Sequence, residues 1–183
     1  MRGACFRFAP TLAGVAKLGK YGLLSIQHGM ITDFLFQRIY PFHAGVAETR
    51  QQGVYGFLNK KGEWAIKPSY EFAGKYNRGV SVVASTDGYG IIDRNGTELL
   101  EPIYVDVGAF DQRRPISWVE KGGKYALVDL KGKIRTGWYD EIEHIGLLGF
   151  IVVKDGIRRL MDESGNFLSE PYQEMGSYFD GRI

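Results

Sequence analysis

The chain has 183 residues, with 23 Lys and Arg against 21 Asp and Glu, for a net charge of +2. This balance argues against a nucleic-acid partner or an anionic membrane surface. The hydrophobic share of 44% and the charged share of 24% are typical of a globular chain, and we expect one domain over residues 1–183.

Location follows from the cysteine count and from the apolar runs. Cys5 is the single cysteine, which excludes a disulfide framework within the chain and favours a reducing compartment. No apolar run approaches the roughly 18 residues that a membrane helix needs. Residues 1–16 lack the pattern of a cleaved leader because Arg7 and Pro10 interrupt them. We therefore expect a cytoplasmic protein without membrane contact.

A Tyr-Gly pair recurs along the chain at a spacing of 34 residues and marks an internal repeat. The pair occurs at Tyr21–Gly22, Tyr55–Gly56 and Tyr89–Gly90, and its position is taken by Tyr125–Ala126 and Arg158–Arg159 in two later copies. The repeats run roughly over residues 20–53, 54–88, 89–123, 124–156 and 157–183, after a partial copy in residues 1–19.

Each full copy continues with a turn signal, in which Asn or Asp is followed three residues later by Gly. The segments are Asn59–Gly62, Asp93–Gly96, Asp129–Gly132 and Asp162–Gly165. Such segments form type I turns, because the polar side chain accepts a hydrogen bond from the backbone two residues on. Short β-branched or apolar runs flank every turn, which predicts hairpins.

The repeat predicts an all-β fold of about five tandem units, each an antiparallel, three-stranded repeat of about 34 residues. Several glycines per copy and period-2 patterning argue against helical hairpins. Pro68 and Pro102 predict edge positions for the second strand of their copies. Two arrangements stay open, a propeller-like ring and a curved stack, because Leu12–Lys17 could supply the strand that the last copy lacks at Tyr178–Ile183.

These columns closely resemble the bacterial WG-repeat family, also called KWG repeats. Val54–Val83 and Tyr89–Tyr104 match its unit column by column, with Tyr in place of the signature Trp. The resemblance implies an all-β array with binding rather than catalytic roles. Some members resemble genes placed beside polymorphic toxins, which implies immunity proteins.

The sequence contains no arrangement that points to a reaction. The three histidines, His28, His43 and His144, fall in different columns of the repeat, so they are not expected to converge on a metal. The recurrent Asp positions are explained by turn capping. We expect no catalytic residue, no metal and no cofactor, and therefore no enzyme.

Residues that depart from their column are the candidates for recognition, because the shared columns build the scaffold. The longest departure is Asp111–Trp118, which brings together arginines and a tryptophan, the types enriched in binding hot spots. A packing role for the tryptophans and a solvated face for the arginines are the alternative interpretations. The candidate partner-binding residues are Arg50, Arg113, Arg114, Trp118, Trp138, Arg158 and Arg159.

The function predicted from these residues is a non-catalytic protein–protein interaction module, monomeric by default. In its sharper form it is an immunity protein that covers the active cleft of a toxin domain. The alternative is a repeat domain that binds a small molecule, peptide or carbohydrate through its aromatic rows. The loops between repeats, including Arg50–Gln52, Asp87, Lys121 and Lys154, are expected to gather on one rim.

Overall fold

The computed structural model describes residues 5–9, 11–146 and 149–172, and for residues 5–9 the backbone alone. The described residues form 18 β-strands and no α-helix. The first sheet contains β1 (Cys5–Ala9), β2 (Leu12–Lys17), β3 (Lys20–Ser25) and β4 (Gly29–Met30). The second contains β5 (Arg38–His43), β6 (Val46–Gln51), β7 (Val54–Asn59) and β8 (Trp64–Tyr70).

The remaining strands form three more sheets. The third sheet contains β9 (Phe72–Ala73), β10 (Val80–Ser85), β11 (Gly88–Asp93) and β12 (Glu98–Tyr104). The fourth contains β13 (Asp106–Val107), β14 (Ile116–Lys121) and β15 (Lys124–Asp129), and the fifth contains β16 (Glu141–His144), β17 (Phe150–Lys154) and β18 (Ile157–Met161).

Every sheet is an antiparallel meander in which strands that follow each other in the chain are neighbours. The predicted all-β class with five antiparallel repeat units is therefore confirmed. The sheets are out of phase with the sequence repeat, because each repeat boundary falls in the turn between the two central strands. One repeat thus supplies the last two strands of one sheet and the first two of the next. The first three sheets have four strands, whereas the outer strand of the fourth and fifth sheets is reduced to isolated bridges.

The sequence interpretation of Leu12–Lys17 as the missing strand of the last copy is wrong. This segment pairs with β1 on one side and β3 on the other, so it completes the first sheet. A repeat that is counted from the Tyr-Gly pair begins in the second central strand of a sheet. The strands that precede the first pair are then not assigned to that sheet. The C-terminal segment Tyr178–Ile183 lies outside the described residues.

An apolar pair in the second central strand of the second, third and fourth sheets holds neighbouring sheets together. Phe57 packs forward against the third sheet, while Leu58 packs backward against the first. Successive residues of a strand point to opposite faces, so adjacent apolar residues serve two cores. The other two full pairs are Ile91–Ile92 and Leu127–Val128, and all six side chains are fully buried.

Four apolar clusters result, one at each junction between consecutive sheets. Each cluster takes large side chains from both sheets that it joins. Within the described ranges, no such cluster joins the first sheet to the fifth. The joining pairs are Leu23 with Leu58, Phe57 with Val83, Ile91 with Val119, and Leu127 with Met161.

The Tyr-Gly pair and the proline of the outer strand depend on each other. A Cβ at Gly56 would lie 2.8 Å from the Cα of Pro68, and one at Gly90 would lie 2.9 Å from the Cα of Pro102. Both prolines lie on the edge strands β8 and β12, as the missing N–H donor requires, and this prediction is confirmed.

The turn segments also behave as predicted, since their Asn or Asp side chain accepts hydrogen bonds from backbone N–H groups. Asp93 Oδ1 accepts from Asn95 at 2.8 Å and from Thr97 at 2.9 Å, and Asp129 repeats the pattern. The turn glycine has a second role, because it touches the outer strand of the preceding sheet. A Cβ at Gly132 would collide with the carbonyl oxygen of Leu99.

We predict that Gly132→Ala destabilises the protein far more than Gly123→Ala. Both glycines have positive φ, +75° and +72°, so alanine is strained by about 1 kcal/mol at each. Gly123 faces open space, whereas Gly132 packs on the neighbouring sheet, and overpacking there costs about 1–3 kcal/mol more. Urea unfolding of the two variants measures the difference, and equal losses would contradict the contact between sheets.

Candidate functional site

The strand order places two sets of turns at opposite ends of the sheets. We call one end the hairpin rim, defined by the turns between the two central strands of each sheet, and the other the Asx rim, defined by the Asn/Asp–Gly turns. The loops predicted to gather on one rim lie at the hairpin end of their sheets. The hairpin-rim turns are Lys17–Lys20, Gln51–Val54, Ser85–Gly88, Lys121–Lys124 and Lys154–Ile157.

Two arginines face each other near the hairpin rim of the second sheet. Arg38 of β5 and Arg50 of β6 are exposed and directly opposite in the register. The Arg38 guanidinium lies over the rings of Tyr21 and Tyr40, at 5.8 and 5.5 Å from their centroids. That of Arg50 lies 5.4 Å from the centroid of Tyr55. Like charges opposite each other destabilise a strand pair, and the rings hold them in place.

Neither guanidinium has a carboxylate partner among the described residues. Arg50 Nε donates to the carbonyl of Gly53 at 3.3 Å. The pair therefore presents two positive groups on one patch, which we call the arginine patch (Arg38, Arg50, Tyr21, Tyr40 and Tyr55). Such a patch can accept carboxylates, because guanidinium groups bind them with paired N–H donors. Arg50 was predicted from its loop position, and Arg38 was missed.

The predicted arginines of the long loop lie at the other end of the fourth sheet. Arg114 is paired with its own loop, since its Nη2 lies 2.8 Å from Asp111 Oδ2. Asp111 also accepts hydrogen bonds from the backbone of Arg113 and Arg114. The Arg113 side chain is exposed. These bonds are made within the insertion itself, so its extra residues form an ordered loop.

The two predicted tryptophans pack between sheets, which agrees with the alternative interpretation that they have a packing role. Trp138 stacks on Tyr104 of the preceding sheet with centroids 6.5 Å apart. Trp118 packs in the cluster between the fourth and fifth sheets and meets Tyr125 edge-on at 5.8 Å. Both remain partly exposed.

Arg158 and Arg159 lie in β18, next to the hairpin rim of the fifth sheet. The Arg158 backbone exchanges hydrogen bonds with Tyr172 at 3.0 Å. The Arg159 guanidinium lies 4.5 Å from the centroid of Phe167 and lines a cavity of about 310 Å³. The seven predicted residues are thus distributed over both rims, and their role in binding stays a prediction.

A second feature of the second sheet, missed in the sequence, is the carboxyl group of Glu48. It lies in a cavity of about 250 Å³ between β5, β6 and the loop that leads into β10. The register equates Glu48 with Gly14, Val82, Trp118 and Ile151 in the other sheets. An acid in a column of otherwise uncharged residues is a departure of the predicted kind. Aligning the first central strands, instead of the Tyr-Gly column alone, would have revealed it.

Burial raises the pKa of Glu48 from 4.5 to about 7, because the carboxylate loses hydration and gains no compensating partner. The described residues form no hydrogen bond or ion pair with its side chain. Desolvation also raises the pKa of the nearby Tyr40 hydroxyl, and the neighbouring Tyr55 adds to that shift. Between about pH 4.5 and 7, the Glu48 carboxyl group is therefore more often protonated in the folded state than in the unfolded state.

The described ranges contain no group of three or more His, Cys, Asp or Glu side chains that could hold a metal ion. No helix among these residues is long and apolar enough to cross a bilayer. His144 lies near Arg114 and beside Phe150, and desolvation lowers its pKa. The predictions of no metal, no cofactor and no catalysis stay predictions.

We predict that wild-type stability falls as pH rises from about 4.5 to 7, by an amount that Glu48→Gln removes. Over this window the folded state binds a proton that the unfolded state has lost, so the free energy of unfolding decreases with pH. The carboxyl is partly exposed, and solvent screening limits the effect to about 1 kcal/mol. Glu48→Gln should therefore be more stable than wild type at pH 8 and match it at pH 4. Thermal unfolding at both pH values measures this, and a constant difference would contradict the raised pKa.

Sequence comparison identifies the repeat. Residues 55–84 and 89–125 match the WG containing repeat family, so the resemblance inferred from the Tyr-Gly columns is confirmed over these two copies. No curated protein matches the chain in sequence.

Several solved structures are similar in fold. Hsv2 of Kluyveromyces lactis has a TM-score of 0.48 at 11% identity, over 92% of this chain and 63% of that one. The N-terminal domain of Nup159 has a TM-score of 0.47 at 10% identity, over 90% and 52%. The WD40 domain of SCAP from fission yeast has a TM-score of 0.36 at 11% identity, over 94% and 55%. This chain spans less than two thirds of each.

Proposed function

We propose that this chain of WG-containing repeats is a non-catalytic, cytoplasmic module that binds another protein through its hairpin rim. The observation that carries the proposal is the pair Arg38 and Arg50, two like charges placed directly opposite each other without a carboxylate partner. Such a pair weakens the free protein, and a partner's carboxylates would relieve the repulsion on binding. The partner surface is therefore acidic.

The composition of the hairpin rim agrees with this partner. Four of its five turns carry Lys or Arg at or next to the turn. The acidic residues there are Asp87 in the third turn and Asp155 in the fifth, and Lys124 pairs with Asp140. Leu18 at the first turn is 87% exposed and has a φ of 49°, an uncommon conformation for a leucine. The arginines and tyrosines of the arginine patch are residue types enriched in binding hot spots.

In the finer form of the proposal the partner is a toxin domain and this chain is its immunity protein. This form is supported by the resemblance to WG-repeat proteins. The mechanism would be occlusion, in which the rigid rim covers an active cleft whose acidic groups meet the arginine patch. An acidic cleft is typical of a toxin with catalytic carboxylates, and the basic rim would repel a strongly basic nuclease.

We predict that the double variant Arg38→Glu/Arg50→Glu binds the natural partner at least tenfold more weakly than wild type, because two favourable charge contacts become repulsive. The partner is first captured from extract of the source cells, identified by mass spectrometry and purified. Calorimetric titration of that protein then gives the affinities. Inhibition of its activity by wild type, at one-to-one stoichiometry, tests the immunity form separately.

The matched control is Arg113→Glu/Arg114→Glu, which makes the same change in charge on the Asx rim. Its affinity should equal that of wild type. Circular dichroism and thermal unfolding confirm that both variants fold. Unchanged binding of the Arg38/Arg50 variant, with loss in the Arg113/Arg114 variant, would overturn the hairpin-rim site and favour the long loop.

A further inference from the structure

The cavity around Glu48 has the features of a ligand site, which adjoins the arginine patch and shares Tyr40 with it. Its volume is about 250 Å³ and one wall comes from the neighbouring third sheet. Aromatic and apolar groups form most of the lining, and Glu48 is its one acidic group. The lining residues are Tyr40, Pro41, His43, Val46, Glu48, Lys75 and Tyr76.

The fold contains an internal comparison for this cavity. The next junction has an equivalent cavity of about 220 Å³, in which Val80 and Val82 occupy the positions of Val46 and Glu48. The space is therefore a product of the repeat, because it forms in the presence of valine as well. The carboxyl group is specific to the second sheet, so packing alone does not account for it.

The charges around Glu48 leave an ionised carboxylate without a counterion. Lys75 and His43 line the cavity, and Arg38 and Arg50 lie further along the same sheet, but none of the four forms an ion pair with Glu48. Lys75 is exposed and adjoins both cavities. A partly desolvated carboxylate is stabilised chiefly by a cation that also fills the space.

Two tyrosine rings are held in fixed positions at this cavity. The Tyr76 hydroxyl donates to the carbonyl of Asp93 at 2.7 Å, and its ring packs against Phe57 with centroids 4.8 Å apart. The Arg38 guanidinium lies 5.5 Å from the centroid of the Tyr40 ring, and both tyrosines line the cavity. Aromatic faces attract ammonium groups, with greater effect when water is excluded.

We propose that this cavity binds the ammonium end of an alkylamine, with the Glu48 carboxylate as its counterion and Tyr40 and Tyr76 as its aromatic walls. The ligand is a small free amine or the lysine side chain of a bound protein, which share this chemistry. The sequence left open that the repeats bind a small molecule or peptide. This site specifies that ligand as a positively charged alkylamine. It stands apart from the proposed hairpin-rim interaction, since it uses no residue whose substitution tests that rim.

The test is a titration of the ¹⁵N-labelled protein with n-butylammonium chloride at pH 8, followed by amide chemical shifts. We expect saturable shifts at Val46, Glu48 and Tyr76 with a millimolar Kd, as the few heavy atoms of this probe allow. Affinity at pH 6 should be about tenfold weaker, because the carboxyl group is then mostly protonated. Sodium chloride and n-butanol at matched concentrations are the controls for ionic strength and apolar binding.

Glu48→Gln keeps the shape of the side chain and should weaken butylammonium binding at least tenfold. Glu48→Val is the second variant, since valine occupies the same column in the third sheet, and it should lose binding equally. Binding that persists in these variants, or wild-type shifts that never saturate, would overturn the site. Amides around Val82 should not respond in any of the proteins.

Titration with the peptide acetyl-Gly-Lys-Gly-amide shows whether the ligand is a lysine side chain of a protein or a small free amine. Tighter binding of the peptide than of butylammonium, lost in Glu48→Gln, assigns the site to a protein lysine. Binding of butylammonium alone assigns it to a small free amine. Failure of both probes with a folded wild-type protein rejects the proposal and leaves the arginine patch untouched.

Discussion

The structure depends on the fully buried apolar pair in the second central strand of the second, third and fourth sheets. The first residue packs forward and the second backward, as Phe57 and Leu58 do. These three sheets are thus buried on both faces of this strand, which explains why it lacks the alternation of a half-exposed sheet. A single sheet cannot bury both of these side chains, so stability arises between neighbours, as in other repeat proteins.

The contact between sheets extends to the turns. Turn glycines such as Gly96 and Gly132 approach the outer strand of the preceding sheet, so one column serves both chain reversal and packing. Where the Tyr-Gly glycine becomes Ala126, the position of the outer-strand proline becomes Gly137.

Local chemistry made most of this fold predictable. Turn caps, edge prolines and the apolar pair are each recognised from residues that lie close together in the sequence, so the repeat columns show them directly. The phase of the sheets was not predictable from the Tyr-Gly count, because a repeat has no intrinsic starting point. Placing Leu12–Lys17 in the first sheet required knowledge of which strands pair.

The candidate site was predictable in part. Arg50 departs from its column in a loop and was found, whereas Arg38 gains its meaning from the register that sets it opposite Arg50. Glu48 stands out only when the first central strands of the sheets are aligned, because a count from Tyr-Gly places that strand at the end of each repeat. Trp118 and Trp138 depart from their columns and yet pack between sheets, so we expect a departure to point to recognition only when the residue is also polar and unpaired.

The central claim is that the exposed, unpaired charges of the second sheet form the recognition surface, while the shared columns form the scaffold. Hydrogen–deuterium exchange of the free and the partner-bound protein tests it most directly. The account predicts slowed exchange in residues 37–55 and unchanged exchange in the Asn59–Gly62 and Asp93–Gly96 turns. Protection confined to Asp111–Trp118, with none in residues 37–55, would contradict it.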